Sequence, residues 1–250
     1  MGEHLSIDET SLSHGEPYTI LTNKRAKGKK GSIVAVLQGT KADNIISILS
    51  RIPLKQRNKV KEITLDMAAN MQLIAKRSFP NATLVTDRFH VQKLATEALQ
   101  EIRIKHRWEA IDQKNEAIEK AKSQKKRYDP VALSNGDTVK QLLARSRYSL
   151  YKRREKWTFT QKERAELVFG LYPDIEKAYK LSQKLTSIFN HTTDKIIAFT
   201  KLAKWHEEVK QAGFKSFNTI SKTIETHYQT ILNYLTTGTP TPQQSLSTRR

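Results

Sequence analysis

The stretch VKEITLDMAANMQLIAKRSFPNATLVTD, residues 60–87, decides the fold because two short apolar runs flank a helix pattern. Runs such as EITL and TLVT, rich in β-branched and apolar residues, predict buried strands. The intervening segment predicts a helix that stops at Pro80. A strand, a helix and a strand in this order indicate part of an α/β sheet covered by helices.

Three further β-rich runs precede this stretch: HLSID at 4–8, PYTILTN at 17–23 and GSIVAVLQG at 31–39. The basic KRAKGKKG, residues 24–31, predicts an exposed hairpin loop. KADNIISILSRIP, residues 41–53, predicts a helix that ends at its proline. The predicted order is therefore β-β-β-α-β-α-β followed by helix, which is typical of an α/β fold with a mixed sheet.

The remainder of the chain carries helical periodicity. From residue 91 to 235 long charged segments show no convincing strand pattern, and the last residues are Thr, Pro, Gln and Ser. Such a composition is typical of disorder. We therefore expect three parts: a sheet-containing core at 1–90, a large all-helical insertion at 91–235 and a disordered tail at 236–250.

Charge and composition restrict the class of protein. The net charge is +19 and the pI about 10.0, which favours a polyanionic partner, most commonly nucleic acid. There is no cysteine, which excludes disulfides and thiolate zinc sites. No apolar run is long enough to span a membrane, and no signal peptide is evident at Met1. We expect a soluble, cytoplasmic, nucleoid-associated protein without membrane contact.

Three predicted strands each end in an aspartate: Asp8, Asp66 and Asp87. Asp66 and Asp87 precede helices and can serve as caps, whereas no helix follows Asp8. Acids at the ends of adjacent strands converge at one edge of a sheet, where they repel each other and favour a cation. Oxygen ligands predict Mg²⁺ or Mn²⁺. Two such ions can activate water and stabilise a leaving oxygen in phosphoryl transfer.

These segments carry a family resemblance. LSIDETSLSHGEPYTILTNKRAKGKKGSIVAVLQG (5–39), LDMAANM (65–71) and TDRFHVQKL (86–94) resemble the DDE domain of ISL3-type insertion-sequence transposases, and the resemblance extends from about residue 4 to 234. It implies an RNase H-like fold, Mg²⁺ or Mn²⁺ as cofactor, DNA at element ends and targets as partner, and a homo-oligomer. It also implies a helical insertion that contacts DNA.

The resemblance assigns roles to individual residues. Asp8 and Asp66 match the first two catalytic, metal-binding aspartates. Asp87 and His90 match a D/C-x-x-H signature and are interpreted as a supporting pair. A competing assignment makes Asp87 the second catalytic acid. His90 as a zinc ligand is disfavoured, because no cysteine or partner histidine lies nearby in the sequence.

The third acid of this family is a glutamate in a stretch resembling N-R-S-T-N-A-x-x-E-S-x-N. Where it is expected the sequence reads LTTGTPTPQQSLSTRR, residues 235–250, and the last carboxylate is Glu225 on a charged helix face. The N-terminal zinc-ribbon-like and helix-turn-helix modules of such transposases are also not found. We therefore expect a fragment with little or no activity, and a frameshift after Tyr234 is a testable explanation of the tail.

Two groups of cations predict DNA phosphate contacts: the 24–31 loop, and the segments SQKKRYDP and RSRYSLYKRREKW. In the second, Tyr148, Tyr151 and Trp157 either stack on unpaired bases or pack between helices. Trp108 and Trp205 are expected in the helical core. The predicted DNA-binding residues are Lys24, Arg25, Lys27, Lys29, Lys30, Arg145, Arg147, Lys152, Arg153 and Arg154.

Two other functions remain open from the residues alone. One is a non-catalytic, basic nucleic-acid-binding protein, such as a transposase remnant, whose affinity would depend on salt and not on metal. The other is an RNase H-like nuclease that uses Asp8, Asp66 and Asp87 as its own triad. The second requires all three carboxylates within reach of shared metal ions.

Overall fold

A computed structural model describes residues 1–11 and 15–237. Its five strands form one mixed sheet in the order β3-β2-β1-β4-β5. β1 pairs antiparallel with β2, and β2 with β3, whereas β1–β4 and β4–β5 are parallel pairs. The predicted α/β class with a mixed sheet is confirmed. The strands are β1 His4–Ser11, β2 Pro17–Asn23, β3 Ile33–Gln38, β4 Glu62–Leu65 and β5 Thr83–Thr86.

Helices make up most of the rest of the described chain. The structure adds a four-residue helix, α2, directly after Pro53, which the sequence did not predict. α10 reaches Thr237, and the remaining residues of the tail predicted to be disordered, 238–250, lie outside the described part. The helices are α1 Ala42–Ser50, α2 Leu54–Arg57, α3 Ala69–Ser78, α4 Arg88–Ser123, α5 Val139–Arg145, α6 Phe159–Leu171, α7 Pro173–His191, α8 Lys195–Ala212, α9 Lys215–Thr226 and α10 Tyr228–Thr237.

The chain divides into two compact units. The first, here the sheet unit, comprises Met1–Val91, Thr192–Phe199 and Thr223–Arg250. The second, the helical unit, comprises Gln92–His191 and Thr200–Lys222. The chain leaves the sheet unit within α4 and returns to it for good within α9, so α10 belongs with the sheet.

The core of the sheet unit lies on one face of the sheet. Leu5 pairs with Ile63 across β1 and β4, and both are fully buried. Side chains alternate along a strand, so the residues between these apolar ones, such as Ser6 and Thr64, face the other side. The buried partners on the helices are Ile45, Leu49, Met71 and Ile74 of α1 and α3.

Tryptophans mark the difference between core and surface in the helical unit. Trp205 is fully buried, and its indole N–H donates to the carbonyl of Leu181 at 2.9 Å, which confirms its predicted place in the core. The prediction for Trp108 is wrong, because 59% of this residue is exposed. Ile104, one turn earlier on the same face of α4, is exposed as well. In the described part of the chain, no helix is both long and apolar enough to cross a membrane.

Candidate functional site

Asp8 lies in β1, and Asp66 directly follows the end of the neighbouring parallel strand β4. Ser6 of β1 pairs with Thr64 of β4, and each aspartate follows its paired residue by two positions. A shift of two residues preserves the face of the sheet, so both side chains leave the sheet on its polar face. Adjacent strands lie about 4.8 Å apart, which brings the two backbones to one strand spacing.

Asp87 continues this row on the next strand. Leu65 pairs with Thr86, so Asp66 and Asp87 are again in register. The backbone N–H of Asp87 donates to the carbonyl of Leu65 at 2.8 Å, which extends the ladder to the aspartate. Asp66 is therefore the middle of three acids, and Asp8 and Asp87 are separated by two strand spacings, about 10 Å.

The electrostatics of Asp8 show that these groups influence one another. Burial raises the pKa of the Asp8 carboxyl, and the charges of Asp66 and Asp87 add to the rise. The charge of His90 and a hydrogen bond from the backbone N–H of Glu9, at 2.9 Å, act in the opposite direction but do not cancel it. The carboxylate of Asp8 is therefore short of positive charge, and a bound cation would stabilise its ionised form.

Two of the aspartates also hold local backbone. A carboxylate oxygen of Asp66 accepts from the N–H of Ala68 at 2.9 Å, just before α3. A carboxylate oxygen of Asp87 accepts from the N–H of Phe89 at 2.9 Å, in the first turn of α4. The Asp87 bond is a helix N-cap, whereas the Asp66 bond closes a turn just before α3, whose N-cap residue Ala68 has no side-chain cap. A carboxylate has two oxygens, so the bonds fix each side chain without excluding a ligand on the other oxygen.

The donor chemistry fits a hard divalent cation. Mg²⁺ commonly binds one or two carboxylates, completes its shell with water and substrate phosphate, and prefers oxygen. Asp8 and Asp66 supply such a pair. Within residues 1–11 and 15–237, no three His, Asp or Glu side chains are close enough together to hold one metal ion. Asp8 and Asp87 are two strand spacings apart, which explains why Asp8, Asp66 and Asp87 do not form such a group.

Helix α10 adds residues that the sequence pattern did not identify. It packs on the edge strand β5: the Thr86 and Thr230 hydroxyls lie 2.8 Å apart, and the Asn233 side-chain amide donates to the carbonyl of Leu84 at 2.9 Å. An edge strand exposes unpaired backbone groups, and Asn233 satisfies one of them. The sequence signal was helical periodicity alone, which predicts a helix but not its position.

The first residue of α4 and the end of α10 meet beside Asp87. The guanidinium of Arg88 lies 5.5 Å from the centroid of the Tyr234 ring. Burial raises the pKa of Tyr234; the charge of Arg88 opposes this rise and that of Asp87 adds to it. Arg88 lies inside the DRFH motif, but nothing in the sequence pointed to Tyr234.

Lys24 departs from its predicted role at DNA. Its ammonium donates to Glu62 and to the hydroxyl of Thr64, each at 2.8 Å, and its side chain is 5% exposed. His4 adds a contact to Glu62 at 3.4 Å. Burial raises the pKa of Glu62, but the hydrogen bond and charge of Lys24, together with His4, outweigh burial and hold that pKa below its usual value. Lys24 is therefore buried in an ion pair and is not available for contact with DNA.

The other cations of the 24–31 loop are exposed, as the sequence predicted for this loop. Arg25 is exposed and lies 3.5 Å from Glu3, the only ion pair of these exposed loop cations in the described residues. Lys27 has a left-handed backbone with φ of 48°, and a glycine follows it, as a tight exposed turn requires. The exposed loop cations are Arg25, Lys27, Lys29 and Lys30.

Two predicted DNA-binding arginines of the helical unit have carboxylate partners. Arg145 forms an ion pair with Asp137, which Arg164 also contacts at 2.9 Å. Arg154 lies 3.2 Å from Glu176. Each of the two predicted arginines is about half exposed, with 53% of its side chain accessible. They can face an anion, but each is already partly neutralised.

The other predicted cations of this unit are less constrained. Arg147 is exposed and its guanidinium lies 5.6 Å from the centroid of the Tyr148 ring. Lys152 donates to the side-chain oxygen of Gln161 at 3.2 Å. Arg153 is half-buried, just before a short 3₁₀ turn.

The three aromatic residues of this region separate into two kinds. Trp157 packs against Phe169 and Tyr179, and its indole N–H donates to the Ser149 carbonyl at 2.7 Å, so it is a packing residue. Tyr148 is 66% exposed and Tyr151 41% exposed. Tyr148 and Tyr151 are therefore accessible for stacking on unpaired bases.

Comparison with known proteins gives a consistent result. The family model for ISL3-type DDE proteins, described as "Transposase", matches residues 5–241. The chain is similar to "Transposase for insertion sequence element IS1001" of Bordetella parapertussis, with 20% identity over 234 residues that cover 92% of the chain and 50% of the relative. The chain thus spans about half the length of this curated relative. No solved structure matches.

Proposed function

Because the chain belongs to the ISL3-type transposase family, we propose that the sheet edge with Asp8 and Asp66 is the metal-binding part of a DNA-cutting and strand-transfer site. The observation that carries the proposal is the register of the two strands, which places the two aspartates side by side on the polar face. The raised pKa of Asp8 adds support, since the charge of His90 does not offset burial and the two neighbouring acids.

In the proposed site Asp8 and Asp66 are the metal ligands. A bound Mg²⁺ or Mn²⁺ would supply Lewis acidity toward a phosphodiester and an activated water. The Asp87 carboxylate accepts from the Phe89 N–H, and the Asp87 carbonyl accepts from the backbone N–H of His90 at 3.1 Å, which places His90 in the first turn of α4. We propose that Asp87 and His90 support the site and that the sheet is of the RNase H-like type.

The level of activity follows from the ligand count. Asp8 and Asp66 can hold one divalent ion together with water and phosphate, but the family's site uses a third acid as well. Within residues 1–11 and 15–237 no third acid joins the pair, and Glu225 is exposed on α9. We therefore propose that this chain binds metal and DNA but turns over little DNA.

The proposed partner is DNA, both at the element ends and at the target site. We also propose that the protein acts as a homo-oligomer and that it works in the cytoplasm, at the nucleoid. The net charge of +19 favours a polyanion, and the exposed cations of the 24–31 loop offer phosphate contacts. These contacts are proposed to position the strand and not to read its sequence.

The test is cleavage and strand transfer on duplex DNA that carries the element ends, with Mg²⁺, with Mn²⁺ and with a chelator. We expect at most weak, metal-dependent nicking by the chain. Asp8→Asn and Asp66→Asn should remove it, whereas Asp112→Asn, a matched change at an exposed site on α4, should not. Robust turnover that survives Asp66→Asn would place the chemistry elsewhere.

A non-catalytic DNA-binding role is the second candidate, favoured by the incomplete acid set in the described residues. The two functions differ in their dependence on metal. A simple binder loses affinity steeply with salt and is indifferent to Mn²⁺. Metal-dependent nicking that Asp66→Asn removes would exclude it.

A further inference from the structure

We propose that Arg103, Arg107 and Arg147 of the helical unit form a phosphate site for an unpaired DNA strand whose bases stack on Tyr148 and Tyr151. These three arginines are called the arginine cluster below. Two of them, Arg103 and Arg107, belong to none of the basic segments that the sequence singled out. The inference rests on the proposed function only in taking DNA as the ligand.

Arg103 sets the geometry of the arginine cluster. It is 4% exposed, and its guanidinium donates to the Leu143 carbonyl at 2.7 Å and to the Gln100 side chain at 2.6 Å. Burial lowers the pKa of Arg103, and the charges of Arg147 and then Arg107 lower it further. The Gln100 side chain that accepts from Arg103 also donates to the Arg147 carbonyl at 3.4 Å, and Arg107 follows Arg103 by one turn of α4. The three arginines therefore lie around Gln100, and hydrogen bonds hold Arg103 in place.

The arginine cluster has no carboxylate to neutralise it. Among the described residues, no Asp or Glu forms an ion pair with any of the three, and the buried Nε of Arg107 has no hydrogen-bond partner. Elsewhere in the same unit, two neighbouring arginines share the buried carboxylate of Asp137. Like charges held together without a counter-charge are unfavourable, so this arrangement favours an anionic ligand.

The neighbouring aromatic residues specify what kind of anion. Arginine presents a planar fork of donors that fits phosphate. Tyr148 and Tyr151 are both exposed, and the Tyr148 ring centroid lies 5.6 Å from the Arg147 guanidinium. Phosphate donors beside exposed rings are the combination that single-strand-binding proteins use, since unpaired bases offer faces to stack and paired bases do not. The ligand is therefore an unpaired strand.

The experiment measures DNA binding by the full chain in the presence of a chelator, so that the metal site plays no part. Fluorescence anisotropy would compare a single-stranded oligonucleotide with the duplex of the same sequence. The variants are Arg107→Gln, Arg147→Gln and Tyr148→Ala, with Arg147→Lys as the conservative partner. Lys204→Gln, an exposed cation on α8 of the same unit, is the matched charge-loss control.

We expect Arg107→Gln and Arg147→Gln to weaken single-strand binding several-fold more than Lys204→Gln, and to reduce the salt slope by about one each. Arg147→Lys should recover part of the loss. Tyr148→Ala should weaken single-strand binding about ten-fold and leave duplex binding unchanged. Circular dichroism melting checks that each variant folds, and because Tyr148 and Arg147 are exposed their variants should melt like the parent.

Three results would overturn the proposal. Arginine variants that bind like Lys204→Gln would show that there is no phosphate site. Tyr148→Ala that weakens single strand and duplex equally, or neither, would show that the ligand is not an unpaired strand. If inorganic phosphate displaced the labelled oligonucleotide as well as unlabelled single strand does, at the same concentration of phosphate groups, the cluster would be a site for free anions. Failure of the catalytic proposal is separable, because Asp66→Asn should leave metal-free single-strand binding unchanged.

Discussion

Asp8 and Asp66 lie two residues beyond the paired residues Ser6 and Thr64, which puts the two aspartates at one level of the sheet. Burial and the two neighbouring acids raise the pKa of Asp8, so its ionised form is a cost to the fold. This cost is fully present above the folded pKa and absent below the unfolded value of 3.8.

The first prediction follows from the destabilising effect of the ionised Asp8 carboxylate. Without metal, Asp8→Asn should raise the thermal midpoint at neutral pH, on the order of 2 °C, because the amide carries no charge to desolvate. The gain should vanish near pH 3, where the parent carboxyl is protonated as well. Calorimetry at both pH values measures it, and a variant that is less stable than the parent at neutral pH would contradict the account.

The second prediction concerns the buried pair of Lys24 and Glu62. Lys24→Met should cost about 3–5 kcal/mol, because it removes the ammonium that pairs with the buried carboxylate of Glu62. The double variant Lys24→Met/Glu62→Met should recover part of the loss. Urea unfolding measures both, and Arg25→Met, next in the chain but exposed, should change stability by less than about 0.5 kcal/mol.

The same pair predicts a dependence on pH. The pKa of Glu62 lies below its usual value of 4.5, so its contribution to stability is complete above 4.5 and is lost as pH falls through the lowered value. Glu62→Gln should flatten the acid limb of the stability profile. An unchanged acid limb would show that Glu62 and Lys24 are not paired in solution.

The third prediction tests the position of α10. Asn233→Ala removes the donor to the Leu84 carbonyl and should cost about 1–3 kcal/mol. Hydrogen exchange should then be faster in β5 and α10 together. Gln229→Ala, at an exposed position of the same helix, is the control and should leave both unchanged.

The fourth prediction concerns the loop between β2 and β3. Replacing the exposed Lys27, Lys29 and Lys30 by Gln should weaken duplex binding, and the salt slope should fall by about 0.9 for each DNA phosphate that the loop no longer neutralises. An equal loss of charge at the exposed Lys204, Lys210 and Lys215 should have a smaller effect. Equal effects of the two triple variants would mean that the loop does not bind DNA at a defined position.

Much of the sheet unit could be predicted because its signals are local. Apolar runs that end in acid predict strands, and alternating helix and strand predict the parallel pairs that bring Asp66 and Asp87 together. Asp8 lies at the same level as Asp66 and Asp87 only because of the register between β1 and β4. The alternation of apolar and polar residues is compatible with this register but does not specify it. Two parallel pairs and one antiparallel neighbour settle that register.

The errors and omissions concern contacts between residues far apart in sequence. Lys24 stands among exposed loop cations, and its partner Glu62 is 38 residues away, so no local pattern marks it as buried. Trp108 fits a helical core pattern, but its face of α4 is exposed. The arginine cluster joins α4 to Arg147, which follows α5, and only the contacts of Arg103 and Gln100 with the 143–147 segment bring its members together.

Binding of Mn²⁺ to the full chain, followed by the electron paramagnetic resonance signal of the free ion, tests the central claim most directly. The account predicts a saturable site that Asp8→Asn and Asp66→Asn each remove and that Asp112→Asn retains. If Asp8→Asn and Asp66→Asn both bind Mn²⁺ as the parent does, the edge of the sheet is not a metal site.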